Sequence, residues 1–544
     1  MDSRPWLKNY PTRSTLKYPR ISLYQYLKNT ADQYPDRTAL IFIAERVTYR
    51  EMMENIDRVA AAYNAAGLQK GDRIALMLPN CFAFVYSFYA AMKQGLVVAQ
   101  LNPLLTAREL GFIVRDSDAR MLIAADVAYP TIKQTMLDQD IENLVIVPLT
   151  GQELDEGTTL FEDFLQQDAP VPPAAEIDPE NDLAALQYTG GTTGFPKGVM
   201  LSHFNLIANA EMTREVMQQW LDKFSGKEIF CMALLPFFHS YGMTCCLTTS
   251  LTVPAGLILV PQFNADLIFF LIEQYQPAMF PGVPTAFIAL MNHPEIQDHD
   301  IGSIDICISG ADALPVEVME QFEQKTGASI LEGYGLSEAS PITHCNPFYG
   351  MRKPGSIGMP YPDTDCKIVD PEEGKRELPI GEEGELIIKG PQVMSGYWNR
   401  PNDTAVALRN GWLYTGDIAR MDQDGYFYIV DRKKDVIIYG GYNIYPREVE
   451  EVLFEHPKVA EAVCIGVPEK FFGEVVKAFV VPKEGVEVTA EEIIEFCKPR
   501  LIKYKVPRQV EFRTELPKTL VGKYLRKDLT IDEQRRRRLE VLNK

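Results

Sequence analysis

The sequence has no CxxC pair, and its nine cysteines are scattered over 544 residues. An odd, unpatterned set excludes a disulfide framework and predicts reduced thiols in a reducing compartment. A leader-like start is also missing, because MDSRPWLKNYPTR has no apolar core. The most apolar stretch, Cys245 to Val260, is interrupted by Thr, Ser, Pro and Gly before it reaches the length of a membrane span. A cytoplasmic protein with no membrane span is the expectation. Basic excess is lacking too: the formal net charge is −20 and the pI about 4.9. That balance argues against a nucleic-acid binder, which needs a basic footprint to neutralise phosphates. No repeat of fixed period is present, so a solenoid is excluded.

What is present is ordinary for a large soluble globular protein, with 46% apolar and 24% charged residues. The length exceeds what one hydrophobic core organises, so two or more domains are expected. The charge is uneven: residues 431–544 carry 23 Lys and Arg against 20 Asp and Glu, whereas residues 1–430 carry 31 against 54. Short apolar runs (39–43, 73–77, 121–125, 143–147, 257–260, 305–309) alternate with helical-period segments such as 49–67 and 82–95. Such alternation predicts an α/β fold with helices flanking a parallel or mixed sheet. From residue 369 to 430 turn-rich sequence and the run ELIIKG predict a β-rich subdomain. The main domain boundary is placed at Asp431. A large multi-subdomain N-terminal region, 1–430, then precedes a small α+β unit, 431–544.

The strongest local signal is YTGGTTGFPKG at 188–198. Three glycines (Gly190, Gly191, Gly194) and three threonines (Thr189, Thr192, Thr193) occupy six positions, and Lys197 follows. Backbone N–H groups, hydroxyls and an ammonium make a cradle for anionic oxygens. Each charge-assisted bond there contributes roughly 1.5–3 kcal/mol. The Gly-Lys-Ser/Thr ending of a Walker A loop is absent. Taken alone, the plain alternative is a Gly/Thr-rich surface turn.

This loop closely resembles the signature of the adenylate-forming superfamily, which includes acyl-CoA synthetases, luciferases and peptide-synthetase adenylation domains. The resemblance continues in order along the chain. LEGYGLSE (331–338) is similar to the family's adenine and magnesium motif. It implies that Glu332, Gly333, Tyr334, Gly335 and Ser337 lie along the nucleotide, that Tyr334 stacks on adenine and that Glu338 holds Mg2+. SGADALP (309–315) resembles the segment lying against adenine and acyl group, which implies Gly310 and Ala311. YTGD (414–417) implies Asp417 as acceptor of both ribose hydroxyls, a task for an acceptor-only group. DRKKD (431–435) and IYGGYNIYP (438–446) resemble the hinge and the loop after it. They imply Arg432 on the ribose, Lys434 as the hinge of a mobile C-terminal domain, and Gly440 and Gly441 lining a tunnel for coenzyme A. LPKTLVGK (516–523) resembles the motif whose last lysine, Lys523, reaches the α-phosphate and the acyl carboxylate. An ammonium suits charge building there. Thr189, Lys197, His239 and Lys523 are the catalytic groups so implied.

LPFFHSYGM (235–243) resembles the acyl-pocket motif, with His239 beside the substrate carboxylate. Phe238, His239, Tyr241, Gly242, Met243 and Gly282 are its implied lining. Peptide-synthetase domains usually carry an Asp here to pair with an amino group, and this chain has Phe237 or Phe238, which favours an acid without one. A long apolar channel gains roughly 0.8 kcal/mol per buried methylene. The whole chain looks most like bacterial long-chain fatty acid–CoA ligases. That likeness implies activation of a medium- to long-chain fatty acid by ATP, with Mg2+, to acyl-AMP and pyrophosphate. Transfer to coenzyme A with release of AMP would follow. An aryl-CoA ligase, an acyl-AMP ligase loading a carrier protein, and a catalytically inactive nucleotide-binding module are the alternatives. The last would be marked by loss of Lys523, Glu338 or Asp417, and all three are present. Fatty acid, ATP and coenzyme A are the implied partners. A weak peripheral contact of EQRRRRLEVLNK (533–544) with the inner face of a membrane, and a homodimer, are left open.

Overall fold

The computed structural model describes residues 4–135, 141–166, 169–189, 196–439, 442–469, 473–519 and 523–542. The apolar runs become strands at Thr38–Phe42, Arg73–Met77, Ala119–Ala125, Asn143–Val147, Gly256–Leu259 and Ile306–Ser309. Between them, helix ends are written in local chemistry. Thr48 caps the helix Tyr49–Ala65 in a reciprocal box with Glu51. Gly95, at φ 69°, closes Phe82–Gln94 in the left-handed conformation that glycine adopts without a Cβ penalty.

Two large mixed sheets dominate. In one of nine strands, the six inner strands from Ser329–Gly335 to Thr38–Phe42 run parallel, and antiparallel strands finish both ends. The other has eight strands; Val97–Gln100 pairs in parallel with Leu183–Thr189, which turns back into Lys197–Ser202. One continuous core joins them, and Phe84, Phe88 and Tyr89 of the helix Phe82–Gln94 lie fully inside it.

A third, antiparallel sheet is built from Asp365–Val369, Gly384–Lys389, Leu408–Arg409 and Trp412–Met421, with Phe427–Arg432 on its flank. It begins slightly before residue 369, and its last strand runs across residue 430. Residues 433–436 then lead to a fourth sheet, which starts at Ile437–Tyr439 and is centred on the long pair Val459–Glu469 and Gly473–Pro482. Helices Pro446–Phe454 and Ala490–Cys497 cover one face of that sheet through Val449, Leu453 and Ile493. The final helix, Arg526–Leu542, covers the other through Leu529. The chain is therefore a large α/β region with mixed sheets followed by a smaller α+β domain.

The stretch Cys245–Val260 is not one element. It is a π-helix, Gly242–Thr248, a helical turn, Thr249–Thr252, and then the strand Gly256–Leu259. Among the described residues no helix is long and apolar enough to cross a membrane. All nine cysteines are buried and free.

Candidate active site

Residues 235–243 leave the strand Phe230–Ala233 and cross the ends of both large sheets. Asn80, fully buried, fixes their path: its amide donates to the carbonyls of Ala233 and Leu235 at 2.8 and 2.9 Å, and its oxygen accepts from the Phe237 N–H at 2.8 Å. Gly242 must be glycine, because a Cβ would sit 2.1 Å from the Pro236 oxygen. At His239, Nδ1 accepts from the Tyr241 N–H at 3.2 Å, which leaves Nε2 as the donor. Burial, helped by the charge of Lys523, pushes the imidazole down to about 4, so it stays neutral near pH 7. Tyr241 donates to the Ile308 carbonyl at 3.0 Å, and its ring lies against Gly310, where a Cβ would be 3.1 Å away. Ala311 follows with φ 71°, a left-handed conformation unusual outside glycine. Gly282 faces the Phe287 ring.

The opposite wall carries Tyr334, Asp417 and Arg432. Asp417 and Arg432 are register partners on adjacent strands, which sets their side chains together. The Arg432 Nε lies 2.9 Å from Asp417 Oδ1, and the Tyr334 hydroxyl donates to Oδ2 at 2.5 Å. Burial and the Asp417 charge keep that phenol protonated, and the carboxylate holds the guanidinium charged. Behind Tyr334 stands His344, ring centroids 5.9 Å apart, backed in turn by Phe427. Gly335 passes so close to Pro341 that a Cβ would meet its oxygen at 2.2 Å, whereas at Gly333 the space is ordinary. Glu332 accepts from the Gly355 N–H at 2.7 Å, and burial raises its carboxyl to about 7. Ser337 and Ser240 place their hydroxyls 3.1 Å apart, which joins this wall to the His239 segment.

Glu338 receives the Tyr397 hydroxyl at 2.7 Å, and Lys197 lies over the Tyr397 ring, 5.3 Å from its centroid. Lys197 is also paired with Asp403 at 2.6 Å. Thr189 and Lys197 are register partners at the head of their hairpin. Gly190, Gly191, Thr192, Thr193 and Gly194 lie outside the described residues. So do Gly440 and Gly441, which follow Tyr439 and precede its register partner Tyr442. Lys434 is exposed in the segment between the third and fourth sheets.

Lys523 arrives from the small domain. Thr519 and Lys523 exchange bonds, the Thr519 N–H to the Lys523 carbonyl at 2.8 Å and the Lys523 N–H to Thr519 Oγ1 at 3.1 Å. The ammonium is pushed below its usual range by burial and by the Arg432 charge, while Asp312 and Asp417 oppose that fall. Its charge is felt at His239. Lys523 thus lies within charge range of His239, Arg432 and Asp417. An ammonium and an imidazole N–H can receive a carboxylate and a phosphate, and a carboxylate with a phenol beside it can receive a diol.

Asn80, Tyr397 and Asp403 are absent from the sequence reading, since each contacts its partner from a distant part of the chain and none sits in a motif. Asp312 lies within SGADALP, but the sequence reading gives it no role there.

Residues 27–398 match the family model of the AMP-binding enzyme, and residues 448–523 match that of the AMP-binding enzyme C-terminal domain. The long-chain-fatty-acid–CoA ligase of Bacillus subtilis strain 168 is 45% identical over 554 aligned positions, covering 97% of this chain and 98% of that protein. Among solved structures, ATP-bound MatB from Rhodopseudomonas palustris superimposes with a TM-score of 0.84 at 30% identity, covering 93% of this chain and 98% of that one. The anthranilate CoA ligase AuaEII in complex with anthranoyl-AMP superimposes at 0.87 with 29% identity, covering 95% and 98%. The chain thus belongs to the AMP-binding enzymes, the adenylate-forming acyl-CoA synthetases that join an acid to coenzyme A at the expense of ATP, and stands close to the bacterial long-chain-fatty-acid–CoA ligases.

Proposed function

We propose that this enzyme activates a medium- to long-chain fatty acid. The observation that carries the reading is the 45% identity, end to end, with a long-chain-fatty-acid–CoA ligase. The lining of the acyl segment agrees with it, because Phe238, Tyr241 and Met243 offer no charge to a substrate tail. The fatty carboxylate docks on the His239 Nε2–H and the Lys523 ammonium. One of its oxygens attacks the α-phosphorus of ATP, the bond to the bridging oxygen breaks, and pyrophosphate leaves with that electron pair. Lys523 stabilises the charge that builds on the phosphoryl oxygens. Asp417, Tyr334 and Arg432 hold the ribose and adenine.

Glu338 is a single carboxylate, and among the described residues no cluster of three or more His, Cys, Asp or Glu side chains is arranged to hold a metal alone. That fits Mg2+, which takes one or two carboxylates and completes its shell with water and phosphate oxygens. Bound there with the nucleotide, Mg2+ would neutralise phosphate charge. In the second step the small domain turns about Lys434. The coenzyme A sulfur, having lost its proton, attacks the acyl carbon, and AMP departs with the carboxyl oxygen.

The test is AMP release from acids graded from acetate to oleate, with and without coenzyme A. Rising kcat/KM from octanoate to dodecanoate, dependent on coenzyme A, supports the proposal; a best substrate of two to four carbons overturns it. A second reading, an aryl-CoA ligase, draws on the superposition with the anthranilate enzyme and requires benzoate-like acids to beat dodecanoate.

A further inference from the structure

Two glutamines touch the acyl segment from the side. Gln100 ends the strand Val97–Gln100 and Gln187 lies within Leu183–Thr189; the two are register partners in a parallel pair, so their side chains leave the sheet on one face. Both are 2% exposed. Each reaches the segment through its amide nitrogen. Gln187 Nε2 donates to the Phe238 carbonyl at 2.8 Å, and Gln100 Nε2 donates to the Met243 sulfur at 3.1 Å. Among the described residues neither Oε1 has a hydrogen-bond partner.

Leaving a buried acceptor unpaired costs about 1–3 kcal/mol unless water reaches it. Two apolar side chains would fill the same space without that cost. They would, however, leave the Phe238 carbonyl without a donor and the Met243 thioether free to change rotamer. The two contacts fall at opposite ends of the segment: Phe238 directly precedes His239, and Met243 lies in the first turn of the π-helix Gly242–Thr248.

We propose that Gln187 and Gln100 are the specificity-determining pair of the acid site. Gln187 positions the carboxylate end through the Phe238–His239 backbone, and Gln100 sets the depth of the acyl channel through Met243. Both are positioning residues, acting through the groups they hold. The proposal rests on reading Phe238–Met243 as the acyl pocket.

The variants are Gln187→Met and Gln100→Met, which keep side-chain length and approximate volume and remove the amide. Acid-dependent pyrophosphate exchange is measured with octanoate, dodecanoate and hexadecanoate. Loss of one hydrogen bond corresponds to roughly tenfold. Gln187→Met is therefore expected to raise the acid KM about tenfold for all three acids without changing their ranking. Gln100→Met is expected to change the hexadecanoate-to-octanoate ratio of kcat/KM about tenfold while octanoate itself stays within about twofold. The KM for ATP stays constant in both. Equal losses on every acid in both variants, or an ATP KM that moves with the acid KM, would mark the pair as packing residues and overturn the proposal. Should a Met variant unfold, the corresponding Gln→Leu variant, which also lacks the amide and adds no buried charge, is read by the same criteria. Wild-type enzyme that turns over none of the three acids removes the fatty-acid reading itself, and the proposal with it; wild type active on dodecanoate with an unchanged chain-length profile in Gln100→Met removes the proposal alone.

Discussion

At the scale of single residues, Lys523 is the group on which both domains converge. Lys523→Ala is expected to slow acyl-adenylate formation by on the order of a hundred- to a thousandfold, because the proposed mechanism places this one preorganised charge at the reacting phosphate. Thioester formation from supplied acyl-adenylate should be spared, and single-turnover assays of each half-reaction check this. Titration gives a second expectation. Burial lowers His203 and His239 from 6.5 to about 4 and His344 to about 3, whereas it raises Glu332 and Glu450 from 4.5 to about 7. For the histidines the unfolded chain binds more protons, so their contribution to stability is lost as pH falls from about 6.5 toward 4. For the glutamates the folded chain binds more, so theirs is lost as pH rises from about 4.5 through 7. The two trends oppose each other. Glu332→Gln removes one opposing group, so the fall in urea midpoint between pH 6.5 and 5 should be steeper than in wild type.

Elements differ in how far the sequence discloses them. Arg73–Met77 and Asn143–Val147 are found with the ends that the apolar runs predict, since each is a short buried strand with one reading. Gly242–Thr248 was legible only as an apolar stretch, because a π-helix leaves no signature in a 3.6-residue period. The motif residues Tyr334, Asp417 and Arg432 were legible, but their mutual contact was not, because it comes from strand register. Asn80 and Gln187 were invisible, as their partners lie 157 and 51 residues away. The basic run near the C terminus illustrates the same limit. It contains Arg536 and Arg537, which pair with Glu533, and Glu533 in turn holds the fully buried Lys477 at 2.7 Å. Lys477 keeps Glu511 at 2.6 Å as a second carboxylate partner, so what Glu533 alone supplies is the tie from the fourth sheet to the final helix. Glu533→Gln should therefore loosen the helix Arg526–Leu542, which limited proteolysis would detect as early clipping after residue 525.

For the whole molecule, the decisive contact is the one between domains. Arg447, at the start of the first small-domain helix, donates its backbone N–H to Asp431 at 2.9 Å and its Nη1 to the Ile429 carbonyl at 2.9 Å. Both acceptors lie on the last strand of the third sheet. On the proposed mechanism, rotation about Lys434 would break this clamp, which would then favour the orientation that seats Lys523. In Arg447→Ala, carboxylate-dependent pyrophosphate exchange should fall severalfold, while thioester formation from supplied acyl-adenylate should hold or rise. Unchanged rates in both would show that the clamp does not set the balance.

The nine buried cysteines carry a consequence for redox chemistry. A coenzyme A ligase works among thiols and the mixed disulfides they form, and an accessible thiolate of its own would be captured by exchange. Burial raises Cys81 and Cys345 to about 12 and Cys497 to about 11, so these sulfurs remain protonated and out of reach. Native enzyme should accordingly release no chromophore from an aromatic disulfide reagent until denaturant opens the fold, and should keep full activity in the presence of oxidised coenzyme A. The packing that builds its core thus also keeps the catalyst from forming a covalent bond with its own second substrate.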